Sequence, residues 1–499
     1  MLERRPVVGG TAVTEEFHPG FKCSMLAHTG GPLRPDIVRD LQLDRHGLRL
    51  VAPNPLVFAP SPDGSALLLH NDPARSAQEI ARLSRADAER YVEFQRVLGH
   101  LGGVLRRLMA ETPPAIENPS AGDLWNLLKT ARGIRRLGKK DMLRLLRWSP
   151  MPAADLVAEW FDTELLQATL AARAIHGTSF GPISPGTGIV FLLRAAAEGH
   201  PAGTAVFPQG GLGALTQALA AAARQAGAEV RTGAEVVRIL VKNGTVTGVA
   251  LASGEEIAAK SIVSNADPPR TFLRLIDPVH LQPSFLLRMQ NYRCQGSVAK
   301  VNLALAGLPS FAGLPGLGAD GRGFAGRIHV GPTIEYLERA HDEAKYGDFS
   351  RQPYLDVLIP SVADPSLAPA GQHVMSVHVQ FAPFRLKDGD WNAQREALGD
   401  TVVKTLAAYA PDLPGLILHR QVITPLDLEQ TYGLTGGHIF HGELSLDQLF
   451  ATRPLLGWAR YRTPIRGLYL CGSGTHPGVG LTGASGANAA REILRDLHA

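Results

Sequence analysis

Apolar positions follow a helical spacing in one part of this chain and strand-like runs in others, and the switches between them divide it. From about Ala74 to Leu108 apolar residues recur every three or four positions among many charges, which predicts helix. Leu124 to Thr130, Met142 to Trp148 and Ala153 to Ile175 keep that spacing, so residues 61–199 are expected to form a mainly helical insertion. Phe207-Pro208-Gln209-Gly210-Gly211 breaks the pattern and leads into an alanine-rich helix, Ala214 to Gln225, which Gly227 ends as a C-cap. Val230 to Ala234, Val236 to Val241 and Val246 to Leu251 then read as strands, with Lys242-Asn243-Gly244 as a tight turn. Ile257 to Val263 is a further strand, stopped by Ser264-Asn265-Ala266-Asp267-Pro268-Pro269. Between 291 and 454, strand candidates at Val298 to Leu305, Tyr354 to Ile359 and His373 to Phe381 mix with helices such as Trp391 to Tyr409, as in a sheet with helices on one face.

The last switch carries chemistry. Leu468 to Cys471 is a short apolar run, hence a buried strand. Gly472-Ser473-Gly474-Thr475-His476-Pro477-Gly478 breaks it, Gly480-Leu481-Thr482-Gly483 follows, and Ala484 to Leu497 has helical spacing. Strand, glycine-rich loop and helix start, in that order, make a place to hold an anion or an electron-rich ring edge. Glycine lets backbone approach a ligand, and the helix start offers free N–H groups and a positive dipole end. The bland alternative is a structural strand-to-helix turn.

At the other end, Glu3-Arg4-Arg5-Pro6-Val7-Val8-Gly9-Gly10 has the order acid, short spacer, glycine pair. This order suits the end of a second Rossmann strand, where an acid holds a ribose hydroxyl. The G-x-G-x-x-G turn that normally lies about twenty residues earlier does not precede it. Taken alone, Glu3 also reads as an ordinary charge near a terminus.

Together these segments resemble the phytoene-desaturase-like flavoproteins of the amine-oxidase-type FAD superfamily, in particular the subgroup of pyridine nucleotide-disulfide oxidoreductase domain-containing proteins. The resemblance rests on Glu3 to Gly10, Phe207 to Gly213, Val263 to Pro268, Gly436-Gly437-His438-Ile439-Phe440-His441-Gly442, and Tyr469 to Gly486, in the family's order. The chain departs from the family at Val479, where glycine is usual, and in lacking the dinucleotide fingerprint. The resemblance implies an α/β fold in which an N-terminally truncated FAD/NAD(P)-binding Rossmann-like domain interleaves with an α+β substrate domain and the helical insertion. Residues 1–60, 200–290 and 455–499 are assigned to the first, 61–199 to the insertion and 291–454 to the substrate domain. FAD is the implied cofactor. Its expected contacts are Glu3, Arg4, Gly9, Gly10, Val236 (by its backbone, against the adenine), Gly472, Gly474, Thr475, Gly480, Leu481, Thr482 and Gly483. Glu3 is expected to end a parallel strand, with Gly9-Gly10 beside the C-terminal glycine loop. Without a first βα unit, the chain is expected to hold FAD weakly or not at all, and an N-terminally extended form to hold it well.

Composition narrows the alternatives. A chain of 499 residues, 45% hydrophobic and 19% charged, is expected to fold into two or more globular units. A net charge of +4 and the lack of a base-reading motif give no case for nucleic acid. Three dispersed cysteines, Cys23, Cys294 and Cys471, form no C-x-x-C pair and favour a reducing compartment. No apolar run reaches the ~18 residues of a membrane span, and no signal-like h-region follows Met1. The expected location is therefore cytoplasmic, or mitochondrial matrix in a eukaryote, with peripheral membrane contact as an option.

That option comes from Arg132-Gly133-Ile134-Arg135-Arg136-Leu137-Gly138-Lys139-Lys140 and the interleaved basic and apolar positions up to Trp148. The 132–148 segment reads either as an interfacial helix or as a solvated face.

His438 and His441 are the candidate catalytic residues, because histidine titrates in the useful range. They read equally as hydrogen-bonded pocket residues. A metal role lacks a third ligand at useful spacing, so no metal is expected. His176 reads as a core histidine at a helix end, and Tyr432 and Glu443 do not stand out from other polar residues. The function expected is FAD-dependent hydride transfer between flavin N5 and a C–H bond of a small, apolar or partly apolar substrate. The alternatives are a carotenoid or retinoid desaturase, saturase or isomerase, and a flavin-deficient binding or scaffold protein.

Overall fold

Ser84 cuts the helical text between Ala74 and Leu108 in two. Its side chain accepts from the Asp87 N–H and caps the helix Arg85–Ala110, while Asp72 caps Pro73–Ile80. The computed structural model describes residues 1–27, 29, 33–116, 119–311 and 322–498. The stretch expected as one helix from Ala153 to Ile175 is also two, Ala153–Ala158 and Glu164–Ile175. The buried Asp87 carboxylate accepts from the N–H groups of Asp162 and Thr163 just before the second of these begins. A buried carboxylate is tolerable there because two backbone donors and Arg90, at 3.6 Å, surround it. Tyr91, Phe94, Trp148, Phe161 and Phe191 join these helices in one apolar cluster. Each such ring contributes about 2–3 kcal/mol by leaving water.

A seven-stranded sheet carries the other large core. Its order is Ile417–Ile423, Val298–Leu305, His373–Gln380, Tyr354–Leu358, Arg327–Val330, Val57–Pro60, Ala66–Leu69. All neighbours are antiparallel except Arg327–Val330 with Val57–Pro60. The Val298–Leu305 strand is buried along its whole length because both faces are covered. Trp391, Leu398 and Val402 of the helix Trp391–Ala407 pack on one face. Phe21, Cys23 and Met25, from the hairpin Thr14–His18/Phe21–Ser24 and the residue after it, pack on the other. The two strands at 57–69 lie on either side of the boundary expected at residue 60, and both belong to this sheet.

The nucleotide-side text also comes together. Residues 1–5 run parallel to 231–234: Glu3 N–H donates to Arg231 O at 2.9 Å and Ala234 N–H donates to Glu3 O at 2.8 Å. Val236–Lys242 and Thr245–Leu251 form a hairpin whose turn residues, Asn243 and Gly244, have φ of 51° and 71°. The strand expected from Ile257 to Val263 is two short ones, Glu256–Ala258 on the hairpin and Ile262–Ser264 parallel to Leu468–Leu470. Leu2, Val236, Val249, Leu468 and Leu470 share one apolar cluster. This is an α/β fold with a mixed central sheet and flanking helices.

Candidate functional site

The loop after Leu468–Leu470 is tightly built. Gly472 has φ of 84°, and a Cβ there would strike the Asn265 side chain. At Gly474 a Cβ would strike Pro268 and come within 3.3 Å of His441 Cβ. The Asn265–Pro268 turn, the glycine loop and the Gly436–Gly442 loop are therefore in direct contact. Thr475 Oγ1 donates back to Gly472 O at 2.8 Å. Farther on, Thr482 O accepts from Arg34 N–H at 3.1 Å, and Thr482 Oγ1 accepts from Ala484 N–H at the start of the helix Ala484–His498. Gly480 and Gly483 have φ of 106° and 71°, and Gly483 lies against Ile37 and Leu33. Leu481 is half-buried. Val479, the departure from the family's glycine, is 4% exposed and packs into the helical core.

Arg453 locks these loops. It is fully buried and donates only to backbone carbonyls: Ser473 O at 2.7 Å, Phe440 O at 2.7 Å, Glu443 O at 2.9 Å, Gln448 O at 3.1 Å and Gly442 O at 3.2 Å. A buried guanidinium is stable there because carbonyl oxygens replace its water. Nothing in the local sequence marks this arginine.

The two candidate histidines sit inside this frame. His438 Nδ1 accepts from Phe440 N–H at 3.2 Å, so the neutral ring carries its proton on Nε2. That nitrogen lies 3.8 Å from Glu443 Oε2. Glu443 Oε2 accepts from Ser179 N–H at 2.9 Å and Oε1 from Leu444 N–H at 3.0 Å. Burial alone would raise the Glu443 pKa, but the His438 ring and these N–H groups outweigh it and hold the carboxyl below its usual range. His441 has φ of 57°; burial, Arg453 and His438 push its pKa down against the pull of Asp267.

A polar wall adjoins the pair. Gln380 accepts from Gly177 N–H and donates to Thr178 O, each at 2.7 Å, and Ser297 Oγ donates to the same carbonyl. Gly177 lies against Ile439 and Phe440. His176 stacks on His378 with ring centroids 4.0 Å apart, and Asp356 meets Arg327 at 2.9 Å and Arg173 at 3.7 Å. Arg194 donates to His176 O at 2.6 Å and lies over the Phe440 ring; burial and the nearby Arg173 charge hold its pKa down to about 9. Lys300, buried in the Val298–Leu305 strand, donates to Ser24 O and Leu26 O, and burial pushes its pKa down to about 8.

The N-terminal candidates have partners of their own. Glu3 Oε1 accepts from Arg5 N–H at 2.9 Å. Arg4 donates to Thr431 O, on the helix Pro425–Tyr432 that leads into the histidine loop. Gly9 packs on Thr216 of the helix Leu212–Gln225, and Gly10 has open space where a Cβ would stand. Val236 pairs with Leu251 at the start of its hairpin.

Five buried polar atoms near the glycine loop have no partner among the described residues: Arg34 Nη1, Thr435 Oγ1, His438 Nε2, His441 Nδ1 and His476 Nδ1. Each such atom costs about 1–3 kcal/mol unless something meets it. His476 donates from Nε2 to Leu108 O at 2.9 Å, so its bare Nδ1 is an acceptor; burial holds its pKa down to about 4. Donors and acceptors of both kinds on two touching loops match the edge of a flavin ring, and Nη1 of Arg34, whose other nitrogens pair with Asp36, matches a carbonyl or phosphate oxygen. The residues present therefore fit FAD.

Comparison with known proteins agrees with this geometry. A family described as flavin containing amine oxidoreductase matches residues 1–494. Pyridine nucleotide-disulfide oxidoreductase domain-containing protein 2 of Rattus norvegicus is 37% identical over 518 residues, covering 100% of this chain and 89% of the relative. A neurosporene-forming phytoene desaturase of Rhodobacter capsulatus is 25% identical, covering 91% of this chain and 81% of the relative. Among solved structures, a cofactor-binding redesign of putrescine oxidase superposes with a TM-score of 0.59 at 15% identity, covering 100% of this chain and 93% of that one.

Proposed function

The chain belongs to the flavin containing amine oxidoreductase family, and on that premise we propose that it moves hydride between a C–H bond of an apolar or partly apolar small molecule and FAD. Bound FAD supplies the hydride acceptor at its N5. The residues of this chain do the rest. Arg453 fixes the spacing between the glycine loop and the Phe440–Glu443 segment. His438 holds a proton at Nε2 opposite the ionised Glu443, where a proton can be taken up or released without bulk water. Gly472 and Gly474 leave no room for side chains where the loops meet. The apolar substrate and a cytoplasmic location are parts of the same proposal. The three free cysteines support the cytoplasmic placement included in it.

The observation that carries this reading is the group of buried polar atoms on and around the glycine loop that meet no partner among the described residues. The test is to load the purified protein with FAD and follow bleaching of the flavin bands without oxygen. Terpenoid, carotenoid and retinoid substrates are offered beside polar amines. Bleaching by an apolar substrate is the expected result. Failure to take up FAD, or bleaching by polar diamines alone, overturns the reading. The phytoene desaturase relative favours one narrower version, a carotenoid or retinoid desaturase, saturase or isomerase; an isomerase converts substrate with no net bleaching.

A further inference from the structure

The helix Ala121–Arg136 is attached to the protein in an unusual way: of its sixteen residues only Asp123 is buried. Asp123 is held by Arg460 at 2.9 Å, and its partner in the capping box is Ser120. The leucines do not face the core. Leu124, Leu127 and Leu128 recur at helical spacing and are 56%, 45% and 42% exposed, and Trp125 beside them is 51% exposed. The next helix, Gly138–Trp148, leaves Leu143 and Leu146 in solvent as well. A helix that shows a stripe of leucines to water leaves several kcal/mol of burial unused.

The same segment is strongly cationic. Between 121 and 148 there are eight lysines and arginines and two aspartates. Both acids are buried and already paired, Asp123 with Arg460 and Asp141 with Arg144. Their charges are spent inside the protein, with Arg144 on Asp141, and Arg147 pairs with Glu159; Lys129, Arg132, Arg135, Arg136, Lys139 and Lys140 remain outside. Lys129 and Arg132 lie over the exposed face of Trp125. Long basic side chains beside leucine and tryptophan suit the boundary of a bilayer, where stems bury and charged heads stay in water. The sequence expectation placed Trp148 at this boundary; the structure buries it to 1% exposure in the helical core, and the interfacial ring is Trp125.

We propose that the helices Ala121–Arg136 and Gly138–Trp148 dock the protein on an anionic lipid bilayer. The proposal extends the apolar-substrate reading above, and its test needs no turnover. A second copy of the chain does not fit this face, because a twofold interface would set the cations against themselves. An acidic protein groove is less suited than a bilayer, because basic and apolar positions interleave instead of separating. The position is also apt. A cavity of about 280 Å³, lined by Val104, Arg107, Leu108, Arg136 and Leu137 among others, opens between this helix and Arg85–Ala110. The carbonyl of Leu108, one of its lining residues, accepts the hydrogen bond from His476 in the glycine loop. The docking face and the candidate site thus meet at one helix end.

The experiment is sedimentation of the FAD-loaded full chain with vesicles of phosphatidylcholine alone and of phosphatidylcholine mixed with phosphatidylglycerol. Binding to the mixed vesicles, reversed by salt, is expected. The double variant Arg132→Glu/Arg135→Glu should bind about thirtyfold more weakly, at roughly a factor of five per basic residue near the surface. Its melting temperature should be unchanged, because neither side chain is buried. Trp125→Phe should still sediment but lose the blue shift of fluorescence that the wild type shows on binding. Equal partition to both vesicle types, no partition, or full binding by the double variant overturns the proposal. Each of these results leaves the flavin-bleaching test unaffected, so the two readings stand or fall separately.

Discussion

Arg453 Nη2 donates to Ser473 O and Phe440 O, each at 2.7 Å, and so fastens the glycine loop to the histidine loop through one buried cation. Arg453→Met should therefore act on both loops at once. It leaves five carbonyls with a lost donor, and the cost should be about 3–5 kcal/mol. Urea unfolding measures that loss, and retained FAD after gel filtration measures the loosened site. Arg453→Lys should lie between the two, since ammonium cannot reach five acceptors spread around a planar fork.

His438→Gln should keep FAD and stability near wild type while kcat falls about 10²- to 10⁴-fold, because an amide cannot pass a proton at the Nε2 position. The acid limb of the kcat profile should move to higher pH, because the Glu443 carboxyl loses the ring that helps to hold it low. An unchanged profile would show that neither group handles a proton in the reaction.

Acid should destabilise the fold through histidines far from the chemistry as well as near it. His200, His329, His378 and His476 are buried, and loss of hydration holds each down to about 4. In the unfolded chain they titrate near ~6.5, so the unfolded state binds the extra protons. Their stabilisation is complete above ~6.5 and is lost as pH falls toward about 4. At about pH 5 each should cost about 2 kcal/mol. Urea midpoints compared between about pH 7 and pH 5 should show uptake approaching four protons on unfolding; a flat pH dependence would contradict this burial.

Lys300 works at the other end of the scale. Its pKa is pushed down to about 8, below the ~10.4 of an unfolded lysine, so stability should rise with pH between those values. Lys300→Met should abolish that rise, although it also removes the donor to Ser24 O and Leu26 O. Melting curves across alkaline pH separate the two effects.

Val479→Gly, which restores the residue usual in the family, should destabilise by about 1–3 kcal/mol, since Val479 is packed in the helical core. Thermal unfolding checks it.

Much of this arrangement was legible because periodicity reports burial. The Val298–Leu305 and Leu468–Leu470 strands and the Leu212–Gln225 helix read directly from apolar runs and alanine spacing. The cuts at Ser84 and at Phe161–Thr163 were missed, because the apolar spacing continues across both; the Ser84 cap marks the first, and the second is met by Asp87 from another helix. Arg453 was missed for a different reason. Its partners are carbonyls drawn from 440, 442, 443, 448 and 473, and a carbonyl leaves no mark on a sequence. Lys300 did leave one, the single charged residue of an eight-residue strand that is otherwise apolar except for Asn302. Glu443 looked ordinary because its role depends on Ser179, which arrives from another helix end.

The pairing of Ile262–Ser264 with Leu468–Leu470 also sets a timetable. A ribosome that has finished the first strand must still make the whole Trp391–Ala407 helix and the outer strand Ile417–Ile423 before the partner emerges. The seven-stranded sheet then has all its residues while the glycine loop does not yet exist. Folding during synthesis would therefore close the seven-stranded sheet first, and the glycine loop would join an already folded neighbour.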